Sequence, residues 1–214
     1  MEKNDFKAIL WDNDGILVET EKWYFEATKQ IMAKEGFNLS IDTYRETFLK
    51  KNTGAWHLLK NINEAHVIKL RKQRNELYSS YLKTKDITMK GIGKILKALY
   101  GKYKMGIVTS SRREHFNIIH ERTGLLQYFN FIITSENFKK SKPDPEPYLL
   151  GIKQTGLKTS ECFAIEDSER GVIAAKEANL FCFAVPNEMT KNSDFSKADI
   201  ILNDLSEIFT FLKK

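Results

Sequence analysis

The sequence of 214 residues contains little cysteine and no long hydrophobic run. Its two cysteines, Cys162 and Cys182, do not form a CxxC pair, and both fall inside short apolar stretches. We therefore expect two buried thiols that act as small hydrophobic side chains. No stretch approaches 18 consecutive apolar residues, so no transmembrane helix is expected. The first residues, MEKNDFKA, lack the apolar core of a secretory signal, and we expect a protein of the reducing cytoplasm.

Metal-binding histidine patterns are also absent. The four histidines, His57, His66, His115 and His120, share no metal-ligand spacing. Taken singly, each favours a structural or solvent-exposed role.

The charge is basic, with a net charge of +6. The densest basic patch, Lys69, Arg71, Lys72 and Arg74, lies on a predicted helix. It lacks the interleaved glycine and aromatic residues that stack on bases, so a solvated helix face is favoured over a nucleic-acid site. A positive field still attracts small anionic substrates.

Residues 20–83 have an almost entirely helical pattern. Apolar residues recur at helical spacing from Tyr24 to Ile31, and Gly36 is expected to end that helix. Ser40 predicts the N-cap of a second helix, and a third short helix follows Gly54. A fourth helix begins at about Glu64, with Val67, Leu70, Leu77 and Tyr81 expected to face inward.

From about residue 87 helices and strands alternate. The expected strands are 8–11, 105–109, 131–134, 162–165, 181–185 and 199–202, and the expected helices are 92–99, 112–123, 145–155, 168–178 and a last one from 204. The strands are continuous apolar runs, as in parallel sheets that helices cover on both faces. The predicted fold class is therefore α/β, with a Rossmann-like parallel sheet core, helices on both faces, and an inserted α-helical cap domain.

The helical block interrupts the chain after the first strand. We therefore predict a core domain from residues 1–16 and 87–214, and a helical cap domain from residues 17–86. The cap is expected to cover the carboxyl edge of the sheet, where ligands bind in open α/β folds. Trp23 and Trp56 either belong to the core of the cap or line a substrate cavity.

Polar side chains follow several of the predicted strands. Asp12 and Asp14 come after the first strand, Thr109 ends the second, and Glu166 and Asp167 follow the fourth. These positions share one edge of a parallel sheet, so residues more than 150 positions apart can meet there. Carboxylates without a compensating charge bind a hard divalent cation such as Mg²⁺. A hydroxyl and a lysine hold a phosphoryl group, which a neighbouring carboxylate can attack.

Four motifs then make a family resemblance visible. WDNDG, IVTSS, SKPDPEPY and IEDSERGVIAAKEA resemble, in order and spacing, the four motifs of the haloacid dehalogenase superfamily. The helical insertion between the first two is similar to that of the subgroup containing β-phosphoglucomutase and many small sugar-phosphate phosphatases. The resemblance spans about the whole chain, and four ordered motifs are far more specific than DxDG alone.

The resemblance implies a catalytic role for each matching residue. Asp12 is the expected nucleophile and a metal ligand. Asp14 is the expected general acid and then general base, and it also binds metal through its backbone carbonyl. Thr109, with Ser110 beside it, is expected to hydrogen-bond the phosphoryl oxygens. Lys142 is expected to neutralise both the nucleophile and the phosphoryl group.

The last motif is expected to complete a Mg²⁺ site. Asp167 is the implied ligand. Glu166 is expected either to bind the ion through a water molecule or to contact the ligands without binding the ion itself. Gly171 is expected to let the turn after Asp167 enter its helix closely. Asn179 stands where relatives usually have glycine, and asparagine tolerates the left-handed cap that this position requires.

The predicted function is a Mg²⁺-dependent phosphatase that acts on a small phosphorylated metabolite, most simply a sugar phosphate. The alternative is a β-phosphoglucomutase-type mutase, whose cap needs an arginine shortly after the glycine of its substrate loop. The corresponding stretch, KKNTGAWHLLK, has His57 as a candidate substrate-binding residue but no arginine, although Lys50 and Lys51 precede the glycine. The expected partner is the small metabolite, with no nucleic acid and no membrane. We expect a monomer and leave a dimer open.

Two non-enzymatic alternatives have weaker support. Read as a calcium-binding loop from position 10, the segment puts Asp12, Asp14, Gly15 and Glu21 at ligand or turn positions, but Leu10 fails as the first ligand. A phospho-accepting signalling module also uses acidic residues, threonine and lysine on a parallel sheet. Such a module does not need the helical insertion.

Overall fold

A computed structural model of the chain describes residues 5–60 and 62–212. The chain forms two compact units. One consists of Met1–Glu19 and Thr88–Lys214 and contains the sheet, and the other is Thr20–Ile87 and is helical. Over the described residues, no helix is both long enough and apolar enough to cross a membrane.

The described residues of the helical unit form three α-helices: α1 Glu21–Lys34, α2 Ile41–Tyr44 and α3 Glu64–Thr84. A π-helical turn follows α2, and the short segment Trp56–Leu58 is a 3₁₀ helix. The Ser40 hydroxyl accepts a hydrogen bond from the Thr43 amide at 3.1 Å, which confirms the predicted cap of α2.

The buried face of α3 differs from the predicted one. Its buried residues recur every four positions, at Leu70, Arg74, Tyr78 and Leu82. Three of the four residues expected to face inward are only partly buried: Val67, Leu77 and Tyr81. The solvated face predicted for the basic patch is wrong at Arg74, which is 6% exposed. Its guanidinium lies 4.1 Å from the centre of the Tyr24 ring, so ring stacking replaces water.

Six parallel strands form the sheet of the other unit: β1 Ala8–Trp11, β2 Lys104–Val108, β3 Phe131–Ile133, β4 Cys162–Glu166, β5 Phe181–Ala184 and β6 Ile200–Ile201. Their order is β3-β2-β1-β4-β5-β6. Leu10, in the central strand, lies opposite Gly106 of β2 and Ala164 of β4. The predicted parallel α/β sheet is confirmed.

Helices cover both faces of this sheet: α4 Ile92–Leu99, α5 Arg113–Thr123, α6 Glu146–Thr155 and α7 Glu169–Glu177. Successive residues of β1 enter opposite cores. Ile9 and Trp11 join the core that contains residues of α4 and α5. Ala8 and Leu10 join the core that contains residues of α6 and α7. This two-sided burial explains why the strands are continuous apolar runs.

The ends of some elements differ from the predicted ends. β2 stops at Val108, because the Thr109 hydroxyl accepts a hydrogen bond from the Ser111 amide at 3.0 Å and turns the chain. The expected helix from residue 204 is a 3₁₀ segment, Leu205–Thr210, capped by Asp204. The two thiols, Cys162 and Cys182, are free and buried, and burial raises the pKa of both.

Candidate active site

The site begins where the central strand ends. Asp12 directly follows β1, and its amide donates to the Ile165 carbonyl of β4 at 3.0 Å. Glu166 ends β4, and Asp167 follows it. From β1 the strand order runs in opposite directions through β2 and β4, and such switch points are where ligands bind in open α/β sheets.

Lys142 joins the two strand ends. Its Nζ donates to Asp12 Oδ1 at 2.6 Å, to Glu166 Oε1 at 2.6 Å and to the Val108 carbonyl at 2.8 Å. These contacts match the three hydrogens of an ammonium group, and Lys142 is 2% exposed. The sequence-predicted lysine and nucleophile therefore lie in direct contact, although 130 residues separate them.

Negative charge exceeds positive charge around this contact. Asp12, Glu166 and Asp167 are buried and offer carboxylate oxygens within 4.8 Å of one another. Burial and the Glu166 carboxylate raise the pKa of Asp12 to about 7, against the opposing effect of Lys142. Burial lowers the pKa of Lys142, but the two carboxylates outweigh it, and the net direction is upward. Three oxygen donors with this surplus charge fit a divalent cation.

The carboxylate of Asp14 has different partners. Its Oδ2 accepts hydrogen bonds from the Ser111 hydroxyl at 2.7 Å and the Thr109 hydroxyl at 3.3 Å, both just after β2. The side chain is thus not among the three clustered carboxylates. Metal binding through its backbone carbonyl stays a prediction. A carboxyl group held by hydroxyls beside a nucleophilic carboxylate can exchange protons with a substrate.

Two glycines make the acidic cluster possible. Gly15 has a φ of 87°, and a Cβ there would lie 1.9 Å from Asp167 Oδ2. A Cβ on Gly171 would lie 1.9 Å from Glu166 Oε2. The close approach at Gly171 therefore admits the Glu166 carboxylate, whereas the sequence suggested only a tight entry into the helix.

Three further residues were predicted to contact the substrate: Thr109, Ser110 and His57. Thr109 lies at the edge and contacts Asp14, as described above. The Ser110 hydroxyl is 2.8 Å from the Ser141 hydroxyl, in the loop that carries Lys142. His57 belongs to the helical unit and is exposed on the Trp56–Leu58 segment. Their contacts with substrate stay predictions.

Sequence reasoning missed two side chains that hold the acidic cluster. Tyr148 of α6 is fully buried, and its hydroxyl donates to Glu166 Oε1 at 2.6 Å. Asn187 donates to Asp167 Oδ2 at 2.6 Å. Tyr148 lies in SKPDPEPY, the motif that contains Lys142, so membership of that motif was the signal that could have pointed to it. No local signal marks Asn187, which is 20 residues from its partner.

Comparison with known proteins gives one family and several relatives. The family model for haloacid dehalogenase-like hydrolases matches residues 9–185. CbbY of Rhodobacter capsulatus is 27% identical, with 96% of each chain covered. Validoxylamine A 7'-phosphate phosphatase of Streptomyces hygroscopicus subsp. limoneus is 27% identical, over 95% of this chain and 96% of that one. Beta-phosphoglucomutase of Bacillus subtilis is 26% identical, over 94% and 91%.

Solved structures have the same fold. CbbY from Rhodobacter sphaeroides, in complex with phosphate, gives a TM-score of 0.81 at 23% identity, over 95% of this chain and 96% of that one. A family IA hydrolase from Entamoeba histolytica gives 0.81 at 23% identity, over 98% and 100%. The family model covers well over half of the sequence, including the strand ends that form the site. The chain therefore belongs to the haloacid dehalogenase-like hydrolase family, as its four motifs predicted.

Proposed function

We propose that this hydrolase is a Mg²⁺-dependent phosphatase that cleaves a small phosphorylated metabolite, of the sugar-phosphate class, through an aspartyl-phosphate on Asp12. The observation that carries the proposal is the buried contact of Asp12 with Lys142, beside the carboxylates of Glu166 and Asp167. The relatives include a phosphatase of phosphorylated carbohydrates from Thermotoga maritima, 26% identical over 81% of this chain. They support the substrate class.

In the first half of the proposed reaction, a carboxylate oxygen of Asp12 bonds to phosphorus while the bond from phosphorus to the leaving oxygen breaks. Asp14, in its acid form, gives its proton to that oxygen. Lys142 lies against Asp12 and holds the phosphoryl charge that would otherwise repel the carboxylate. The proposed substrate contacts are Thr109, Ser110, Lys142 and His57.

In the second half, Asp14 takes a proton from water. The water oxygen bonds to phosphorus, the bond between Asp12 and phosphorus breaks, and inorganic phosphate leaves. Mg²⁺, when held by Asp12, Asp167 and the Asp14 carbonyl, with Glu166 behind them, neutralises negative charge on the phosphoryl group.

Release of phosphate from p-nitrophenyl phosphate tests this proposal. Activity should require Mg²⁺ and disappear with a chelator. The Asp12→Asn variant should lose turnover, whereas Asp42→Asn should keep it, because Asp42 is an exposed carboxylate in the first turn of α2. Full activity in Asp12→Asn would refute the assigned nucleophile.

The two carboxyl roles can be separated in the same assay. Asp14→Asn retains the nucleophile but lacks the base for the second half. It should release about one p-nitrophenolate per enzyme in a burst and then stall. Asp12→Asn should give no burst, and steady turnover without a burst in Asp14→Asn would contradict the role of Asp14.

A mutase is the second candidate. The sequence showed no arginine in the stretch around His57, yet the fold of the helical unit brings the Arg74 guanidinium 5.8 Å from the centre of the Trp56 ring. That guanidinium hydrogen-bonds to the neutral side chains of Asn75 and Thr28. Conversion of glucose 1-phosphate that depends on a sugar bisphosphate would favour the mutase over the phosphatase.

A further inference from the structure

The residue between the two site aspartates is a buried polar one. Asn13 has no exposed surface. Its carbonyl already accepts hydrogen bonds from the amides of Leu17 at 2.8 Å and Val18 at 3.2 Å, which fix the backbone of the loop. A buried apolar side chain would need no hydrogen-bond partner at this position. A buried amide costs stability unless both its NH2 group and its oxygen have partners.

Both ends of the Asn13 amide have partners. Its Nδ2 donates to Asp14 Oδ2 at 3.2 Å, and its Oδ1 is 2.8 Å from His120 Nε2 of α5. The other ring nitrogen of His120, Nδ1, is 2.9 Å from the Thr123 hydroxyl. A chain of contacts thus runs from α5 to the Asp14 carboxylate, and it crosses 107 residues of sequence.

The direction of each hydrogen bond follows from the carboxylate. Because Asp14 Oδ2 accepts, the Nδ2 group of Asn13 donates and its Oδ1 must accept. His120 therefore carries its hydrogen on Nε2, and its Nδ1 accepts from the Thr123 hydroxyl. Burial lowers the pKa of His120 to about 4, so the ring is neutral at ordinary pH, as this arrangement requires.

The Asn13 amide group is a third donor to one oxygen of Asp14. Oδ2 also accepts from the hydroxyls of Ser111 and Thr109. Three donors to one oxygen restrict the rotation of the carboxyl group, and hence the direction in which the other oxygen points. Proton transfer depends on such alignment, because the reacting atoms must approach within hydrogen-bond distance.

We propose that Asn13 and His120 are positioning residues, which hold the Asp14 carboxyl group in the orientation needed to protonate the leaving group. The proposal rests on the proposed function, in which Asp14 is the general acid. Its competitor is a buried amide–imidazole pair that only satisfies itself. The two differ in what happens when both side chains become apolar, because replacing both partners of a buried hydrogen bond can be nearly neutral for stability.

The variants Asn13→Leu, His120→Phe and their combination separate these readings. Either single change leaves a buried polar group unpaired, so the combined variant should have the higher melting temperature. Activity is measured as kcat/KM for phenyl phosphate and p-nitrophenyl phosphate. Phenolate leaves less readily than p-nitrophenolate, so the phenyl ester depends more on the acid.

In the combined variant, kcat/KM for phenyl phosphate should fall about tenfold more than for p-nitrophenyl phosphate. His120→Gln keeps a donor toward Asn13 and should restore most of the original ratio. His115→Gln, at another buried histidine of α5, is the matched control and should leave the ratio unchanged. A combined variant that folds and keeps the original ratio overturns the positioning role.

Asp14→Asn distinguishes this failure from failure of the proposed function. Because Asp14→Asn is expected to stall after one turnover, its two substrates are compared by the rate constant of the burst. If Asp14 is the acid, this rate should show a larger selective loss with phenyl phosphate than kcat/KM shows in any other variant. An unchanged ratio in Asp14→Asn would remove the acid role itself, whatever Asn13 and His120 do. A changed ratio there, with none in the combined variant, would overturn only the positioning proposal.

Discussion

Replacement of Lys142 by methionine tests the electrostatic balance of the site. The change keeps the length of the side chain but removes the ammonium. At an effective dielectric constant of about 20, each 2.6 Å contact from Nζ to Asp12 and Glu166 has a Coulomb energy of roughly 6 kcal/mol. Most of that attraction offsets the desolvation of the three buried groups, which costs several kcal/mol per ion.

Removing one partner leaves the desolvation cost without the compensating attraction. We therefore expect Lys142→Met to lower the free energy of unfolding by about 3–5 kcal/mol. For a chain of this length that corresponds to a fall in Tm of about 6–20 °C. Loss of the cation also raises the pKa of Asp12 beyond its present value of about 7, so less of the nucleophile is ionised. Phosphatase activity should fall by about 10²–10³-fold or more.

The assay combines denaturant unfolding with steady-state release of phosphate. Lys140→Met is the matched control, because Lys140 is exposed and its ion pair with Asp144, at 3.6 Å, lies on the surface. Surface pairs contribute about 0–1 kcal/mol, so this variant should resemble the parent protein. A Lys142→Met protein as stable and as active as Lys140→Met would refute the reasoning.

Three further changes have defined outcomes. Gly171→Ala should destabilise the fold by about 1–3 kcal/mol, because the new methyl group displaces a Glu166 carboxylate whose hydrogen bonds are then lost; unchanged urea unfolding would contradict this. Between pH 7 and 4.5 the unfolded state binds a proton at His120 that the folded state refuses, so about 2 kcal/mol of stability should be lost as the pH falls, and His120→Phe should lack this component. Arg74→Met should lower stability by about 1–2 kcal/mol through the loss of its stacking on Tyr24, whereas Arg71→Met, at an exposed position of the same helix, should not.

Much of the sheet and of the acidic site could be predicted because the signals are local. A buried parallel strand is a short apolar run, and the polar residue that follows it must lie at the carboxyl edge. Asp12, Thr109 and Asp167 were located by that rule alone. Lys142 lies in a loop, where no strand pattern could have located it, and it was predicted from the motif that contains it.

The partners of these residues could not be predicted, because they depend on packing between distant elements. Nothing in the sequence around Asn13 and His120 marks them as partners. Their contact depends on how α5 packs beside the loop that follows β1. Arg74 was expected to be solvated because its side chain is charged. It nevertheless belongs to the buried face of α3, between Leu70 and Tyr78, where a long side chain can lie along aromatic rings.

The position of β1 at the centre of the sheet has a consequence for synthesis on the ribosome. This strand is synthesised before both of its neighbours, residues 104–108 and 162–166. While it waits, the helical unit of residues 20–87 can already be complete, since its contacts are local. The nascent chain therefore carries an apolar strand with both edges unpaired until residue 108 has been made, and with one edge unpaired until residue 166 has been made, and chaperone binding to this segment would be expected in that interval.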